Sequence, residues 1–231
     1  MKYQLIVNLF ELLAAITGTV IIRKYRTSRI VHYFVYFLWL TVLVELTMGW
    51  IPTIIRYSDE LYHFKNTLLG YNYWAYNIYY IISYSFYAYF FREHLRSFIR
   101  QKILIQSIYI YIIGSIISCV ISYDNFLTQS IPFITIAGSI ILTMSVLFYL
   151  YEMLNSDKIL NFDKNFVFYI GVSALIFHVI VAPLFIYSIH FTTENPDFIK
   201  FRGIVLYGAN ILLYSVYTYS FIQCLRKNNS Y

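Results

Sequence analysis

Charged residues are scarce in this sequence of 231 residues. Asp, Glu, Lys and Arg together make up 12% of the chain, which is about half of their usual share in soluble proteins. Because 60% of the residues are hydrophobic, this scarcity excludes a disordered chain, a coiled coil and an ordinary soluble enzyme. Glycine and proline are also few, at 8 and 4 residues, which excludes a collagen-like sequence. The class that fits is a membrane protein that crosses the bilayer several times.

Long apolar stretches separate the few charges. There are seven such stretches, and each is long enough to cross about 30 Å of hydrocarbon as a helix. Strands of a membrane barrel would alternate apolar and polar residues, and these stretches do not. We therefore predict an all-α integral membrane protein, a seven-transmembrane-helix bundle that forms one domain over 1–231 without a soluble domain. The predicted spans are 3–22, 30–55, 68–91, 103–122, 131–153, 166–190 and 203–225.

The basic residues fall mainly on one face of the predicted bundle. That face carries 12 of the 17 lysines and arginines, and the other face carries 5. The positive-inside rule then places the N-terminus outside and the C-terminus in the cytoplasm. The net charge of +6 is therefore a topology signal that suits a lipid bilayer, and we expect no nucleic-acid partner. The basic loop 92–102 is a candidate docking surface for a cytoplasmic protein, or only part of that signal.

Two pairs of segments suggest an internal repeat. Segment 34–44 resembles 166–176, and segment 77–87 resembles 210–220, at offsets of 132 and 133 residues. Chance matches are common in a chain so rich in Ile, Tyr and Phe, so duplication is one of two readings. A parallel three-plus-one-plus-three repeat with the N-terminus outside is similar in architecture to sugar facilitators of the SWEET and PQ-loop type. The Pro-Gln pair of those proteins is missing, since the first span ends Val20-Ile21-Ile22-Arg23.

Five polar residues from five spans lie at similar depth in the outer to middle part of the predicted membrane. Ionisable groups inside a span cost roughly 2.5–3.5 kcal/mol each on insertion scales, so each needs a partner or a function. Tyrosines extend this layer, because they recur at three- and four-residue steps beside the two asparagines and so share one helix face. Tyrosine suits a cavity for an uncharged or weakly polar solute. The candidate solute-binding or gating residues are Glu11, Glu45, Asn77, Tyr80, Tyr84, His178, Pro183, Asn210 and Tyr214.

Each of these residues also has a purely structural interpretation. A buried asparagine often bonds a neighbouring helix, and many tyrosines of membrane proteins lie at the interface or in packing contacts. We expect Glu45 and His178 to pair across the second and sixth spans. Pro183 leaves a helical carbonyl without its partner and is expected to kink its helix, either for gating or only for packing.

Three functions from different classes fit these features. The first is a facilitator or channel that passes a small solute or ion, including an oligomeric pore, and a homo-oligomer is therefore a candidate assembly. The second is a seven-helix sensor or receptor that signals through a separate cytoplasmic partner. The third, an intramembrane enzyme, has the weakest basis, because the sequence has no catalytic or metal-binding motif. We expect no catalytic residue, metal or cofactor, and a location in the plasma (inner) membrane of a prokaryote.

Overall fold

Helices form all the regular structure in the part of the chain that this computed structural model describes, residues 2–190 and 196–225. Seven of them have 20 or more residues, and together with shorter turns they follow one another without a strand in these ranges. In chain order the elements are α1 (Lys2–Lys24), α2 (Arg29–Met48), α3 (Ile51–Tyr57), a 3-10 turn (Tyr62–Asn66), α4 (Tyr73–Arg92), α5 (Phe98–Ile121), α6 (Tyr123–Phe126), α7 (Pro132–Leu154), a second 3-10 turn (Asp157–Lys164), α8 (Phe166–His190), α9 (Pro196–Ser220) and a π turn (Phe221–Leu225).

Six of these helices are long and apolar enough to cross a membrane, which confirms a helical protein of the membrane type. The exception among the seven long helices is α4. Its 20 residues suffice for a crossing, but seven of them are tyrosines, which lowers its mean hydropathy. The predicted all-α class is therefore confirmed for the described residues, and the count of seven spans stays a prediction.

The helix ends differ from the predicted spans in three ways. The third span is predicted to begin at residue 68, but α4 begins at Tyr73. The second span is broken, because α2 ends at Met48 and α3 starts at Ile51. Pro52 lies in the first turn of α3, a position at which a helix tolerates its missing N–H. In addition, α5 and α9 begin five and seven residues before their predicted spans. Lysine and arginine limit the length of an apolar span, but they are good helix formers and do not stop a helix.

The long helices pack as a ring. Along it the order is α1, α2, α4, α7, α8 and α9, and α9 returns to α1, while α5 packs outside the ring against α4 and α7. Two neighbouring pairs run in the same direction, because contacts advance together along both helices of each pair. For α4 and α7, Asn77 meets Ile131 and Tyr84 meets Ser139. For α1 and α9, Tyr3 stacks on Tyr207 and Gly18 lies beside Phe221, just after the end of α9. Two parallel seams in a ring are what a three-plus-one-plus-three repeat predicts, although the duplication itself stays a prediction.

Small residues in the helices serve packing within the chain. A Cβ at Gly18 of α1 would lie 2.9 Å from the rings and methyls of Phe221 and Val35, and one at Gly114 of α5 would lie 2.8 Å from Phe133. Both glycines are therefore already covered by neighbouring helices of the same protomer. The predicted homo-oligomer stays a prediction.

The predicted docking loop 92–102 is held tightly to the end of α7. The carboxylate of Glu152 accepts hydrogen bonds from the backbone N–H groups of Arg96 and Ser97, at 2.6 and 3.1 Å, and from the Arg100 guanidinium at 2.8 Å. It thus caps the start of α5, whose first N–H groups have no helical partner. Part of the charge in this loop therefore has a structural role, and a protein partner there stays a prediction.

Candidate functional site

A cavity of about 460 Å³ lies inside the ring of helices. At one end it is lined by the loop residues Asn72 and Ser130 and by Tyr73, which is 43% exposed. It extends along α4 as far as Tyr87, a distance of about 21 Å at 1.5 Å per residue. All six helices of the ring contribute to its wall, and α5 does not. The mouth lies at the end of the bundle that the positive-inside rule places outside.

The structure brings eight of the nine sequence-predicted site residues to this one cavity. Pro183 is the exception, because its side chain is exposed on the outer surface of α8, and the helix continues through it. Residue counting predicts one layer for five polar residues and places the tyrosines along the same helix faces. The fold turns all eight towards one shared space. Whether they bind a solute stays a prediction. The eight are Glu11, Glu45, Asn77, Tyr80, Tyr84, His178, Asn210 and Tyr214.

Two carboxyl groups lie on the cavity wall, Glu45 near the mouth at the level of Tyr76 and Glu11 on α1. Glu11 is only 2% exposed, and its Oε2 is buried without a hydrogen-bond partner among the described residues. The Tyr214 hydroxyl interacts with this carboxyl group, and Glu45 is close enough to interact with it electrostatically. The Glu45 Oε2 itself accepts a hydrogen bond of 2.9 Å from the Tyr76 hydroxyl. The wall therefore contains one satisfied and one incompletely satisfied carboxyl group.

The expected pair of Glu45 and His178 does not form in the described structure. Glu45 bonds Tyr76 instead, and His178 directs its Nδ1 at the Tyr84 hydroxyl, 3.4 Å away. The two groups lie at different depths, because their partners Tyr76 and Tyr84 are eight residues, or about 12 Å, apart along α4. The Tyr84 ring packs where Gly138 of α7 leaves room, since any side chain at that glycine would collide with it.

The two asparagines of the predicted layer differ in their hydrogen bonds. The Asn77 amide donates to the carbonyls of Phe126 and Gln129, at 3.2 and 3.1 Å, and its Oδ1 accepts from the N–H of Ile131 at 3.1 Å. Both donors of Asn77 are thereby used by the loop before α7. Among the described residues, Asn210 donates to Leu206 of its own helix, at 2.8 Å. Asn77 thus fixes the cavity mouth, while Asn210 keeps hydrogen-bonding capacity for the cavity.

Sequence reasoning missed several residues of the wall. Gln4 and Asn8 precede Glu11 at steps of four and three residues, which places all three on one face of α1; that spacing was the signal available in the sequence. Tyr76 and Arg202 also line the cavity. Arg202 was counted only as an outer basic residue, and nothing in its immediate sequence indicates that it faces inward.

Below the cavity, five aromatic side chains close the interior. We call this group the aromatic floor. The Phe34 ring lies at its centre, with centroids of the other four rings at 5.2–6.5 Å. The hydroxyls of Tyr87 and Tyr217 bond each other at 2.6 Å. All five side chains are at most 5% exposed, so the floor is closely packed. Its members are Phe34, Tyr87, Phe90, Tyr217 and Phe221.

No protein-family model, curated protein or solved structure matches this chain. Within residues 2–190 and 196–225, no three His, Cys, Asp or Glu side chains are grouped as a metal ion would require. The function has to be argued from the cavity and its floor.

Proposed function

We propose that this protein is a seven-helix facilitator that takes up a small solute from outside and passes it across the membrane through the cavity. The observation that carries the proposal is a 460 Å³ space with buried polar groups inside a bundle of membrane-type helices. Spaces of this size hold small organic molecules. Polar groups at such depth are costly in a membrane protein and usually mark a pathway or a binding site.

The proposal includes α4 as a membrane span and the N-terminus on the outer side. Although α4 is less apolar than the others, it packs between α2 and α7, and its tyrosines face the cavity and neighbouring helices. A helix can cross a membrane with polar side chains when these are directed into the bundle. We further propose the prokaryotic plasma membrane as the location, as the sequence led us to expect.

The membrane topology is tested by thiol labelling of cells that produce the protein. In a variant without its two cysteines, Glu60→Cys and Asn155→Cys are made singly; both positions are exposed and lie in connections at opposite ends of the bundle. A membrane-impermeant maleimide should label the first position and not the second. Labelling of both from outside would contradict a spanning α4.

Transport is tested by flux into proteoliposomes. Labelled neutral polyols, organic cations and organic anions are offered separately, and entry is compared with entry into protein-free vesicles. We expect one of these classes to enter several-fold faster, and Glu45→Gln to slow that entry, because Glu45 lines the cavity. The matched control is Glu60→Gln, which removes a carboxylate from an exposed loop. No faster entry for any class would overturn the proposed transport.

A sensor is the second candidate, and the aromatic floor favours it. A cavity that reaches the outside and ends at a packed layer also suits a protein that binds a ligand without passing it on. The flux assay combined with a binding assay separates the two functions. Binding without flux would favour the sensor, together with a cytoplasmic partner at 92–102.

A further inference from the structure

One oxygen of the Glu11 carboxyl group has no hydrogen-bond donor among the described residues, and a molecule bound in the cavity could provide one. The Glu11 Oε2 is buried, has no hydrogen-bond partner among the described residues, and belongs to a side chain on the cavity wall. A carboxyl oxygen in such a place is costly unless it is paired. The unmet requirement is therefore a donor, and a charged donor would meet it most strongly.

The surrounding tyrosines have few free hydroxyls to offer. The Tyr76 hydroxyl is bonded to Glu45, and that of Tyr79 to Thr41, both at 2.9 Å. The Tyr84 hydroxyl lies between Ser139 and His178, at 3.3 and 3.4 Å. A sugar or polyol would require many free hydrogen-bonding groups, and most of these hydroxyls are already engaged.

The rings of the same tyrosines form a continuous aromatic wall. Along α4, the ring of Tyr80 lies 6.1 Å from that of Tyr76, 5.8 Å from that of Tyr79 and 6.3 Å from that of Tyr84. Aromatic faces attract cations, most strongly where water is excluded. An aromatic wall beside an unpaired carboxyl group is the combination that recognises organic ammonium ions.

The positive group of the cavity is placed towards the mouth. Arg202 precedes Tyr214, the neighbour of Glu11, by twelve residues of α9, or about 18 Å along the helix. The charge of Arg202 still acts on Tyr80 of the aromatic wall, but two carboxyl groups, Glu11 and Glu45, line the cavity against this one guanidinium. We infer that the cavity binds a small organic molecule that carries an ammonium group, with Glu11 as its counter-charge and the α4 tyrosines as its aromatic wall. This inference rests on the proposed function, since it names the solute class of the same cavity.

The test is a binding measurement that does not depend on transport. Purified protein in detergent is titrated calorimetrically with tetramethylammonium, choline, phenethylamine and an amino acid, and with neutral analogues such as 3,3-dimethylbutan-1-ol, which has the shape of choline without its charge. We expect at least one ammonium compound to bind, and its neutral analogue to bind about tenfold more weakly or not at all.

Variants of Glu11 complete the test. Glu11→Gln keeps the shape of the side chain and should weaken binding by about tenfold or more, whereas Glu11→Asp, which keeps the charge, should retain most of it. Glu60→Gln serves as the control, and thermal unfolding verifies that each variant is folded. The inference is overturned if neutral analogues bind as tightly as the cations, if no ammonium compound binds, or if folded Glu11→Gln binds unchanged.

The outcomes for the two proposals can be told apart. Transport of neutral polyols without ammonium binding would uphold the facilitator and overturn the ammonium site. Binding of an ammonium compound without flux would uphold the site and overturn the facilitator.

Discussion

The cavity and the aromatic floor are two levels of one bundle, and tyrosines are prominent in both. At the cavity level the tyrosines surround space, and Oε2 of Glu11 has no hydrogen-bond partner in the part of the chain that the structure describes. At the floor the Tyr87 and Tyr217 hydroxyls bond each other and Phe34 fills the centre. The abundance of tyrosine therefore does not decide whether a level is open or closed.

The side chains on one face of α2 differ between the open level and the closed level. Phe34, Thr41 and Glu45 are spaced by seven and four residues, so they lie on one side of the helix, which runs from the floor towards the mouth. At the lower level this face presents a large ring, and about 16 Å higher it presents a carboxyl group. The first fills the interior and the second leaves space beside it.

Truncation at the centre of the floor should have the largest effect on stability. Phe34→Ala removes a ring that contacts every other member of the floor, and we expect a loss of about 3–5 kcal/mol in the free energy of unfolding. The loss is measured by denaturant titration in mild detergent.

The control for this truncation is Phe98→Ala, the same substitution at a side chain that is 77% exposed at the start of α5. It should change stability by less than about 0.5 kcal/mol. Equal losses at the two positions would show that the floor is not specially packed, and the contrast between the two levels would then fail.

The second prediction concerns Asn77, the cavity residue whose amide is used up by hydrogen bonds to the 126–131 segment. Asn77→Ala should cost about 2–3 kcal/mol, because it leaves backbone groups of the 126–131 segment without their partners. Asn210→Ala loses only a bond within its own helix and should cost less than about 1 kcal/mol. Thermal unfolding of the two variants in the same detergent makes the comparison, and a reversed order would contradict the structural role of Asn77.

The contrast between these asparagines also shows how far the sequence reaches. Depth follows from counting residues along a helix, and so the sequence placed Glu11, Glu45 and both asparagines at one level. The rotation of each helix and the path of each loop depend on tertiary packing, which spacing does not encode. The Asn77 partners in a loop, the Tyr76 partner of Glu45 and the filling of the floor by Phe34 were therefore out of reach. The long apolar stretch 68–91 predicts a span at α4, but its seven tyrosines lower the mean hydropathy so far that a hydropathy criterion identifies only the other six helices among the described residues.

The smallest of the three effects should come from the hydroxyl pair of the floor. Tyr217→Phe leaves the Tyr87 hydroxyl buried without its partner at 2.6 Å, and this should cost about 1–2 kcal/mol. The double variant Tyr87→Phe with Tyr217→Phe removes both hydroxyls, so its stability should return towards that of the unsubstituted protein.

Tyr219→Phe, at a side chain that is 47% exposed on the same helix, controls for the substitution itself. Unfolding free energies of the unsubstituted protein, the single variants Tyr87→Phe and Tyr217→Phe, and the double variant form a double-mutant cycle. Additive losses would mean that each hydroxyl acts alone, and the floor would then be closed by its rings and not by this bond.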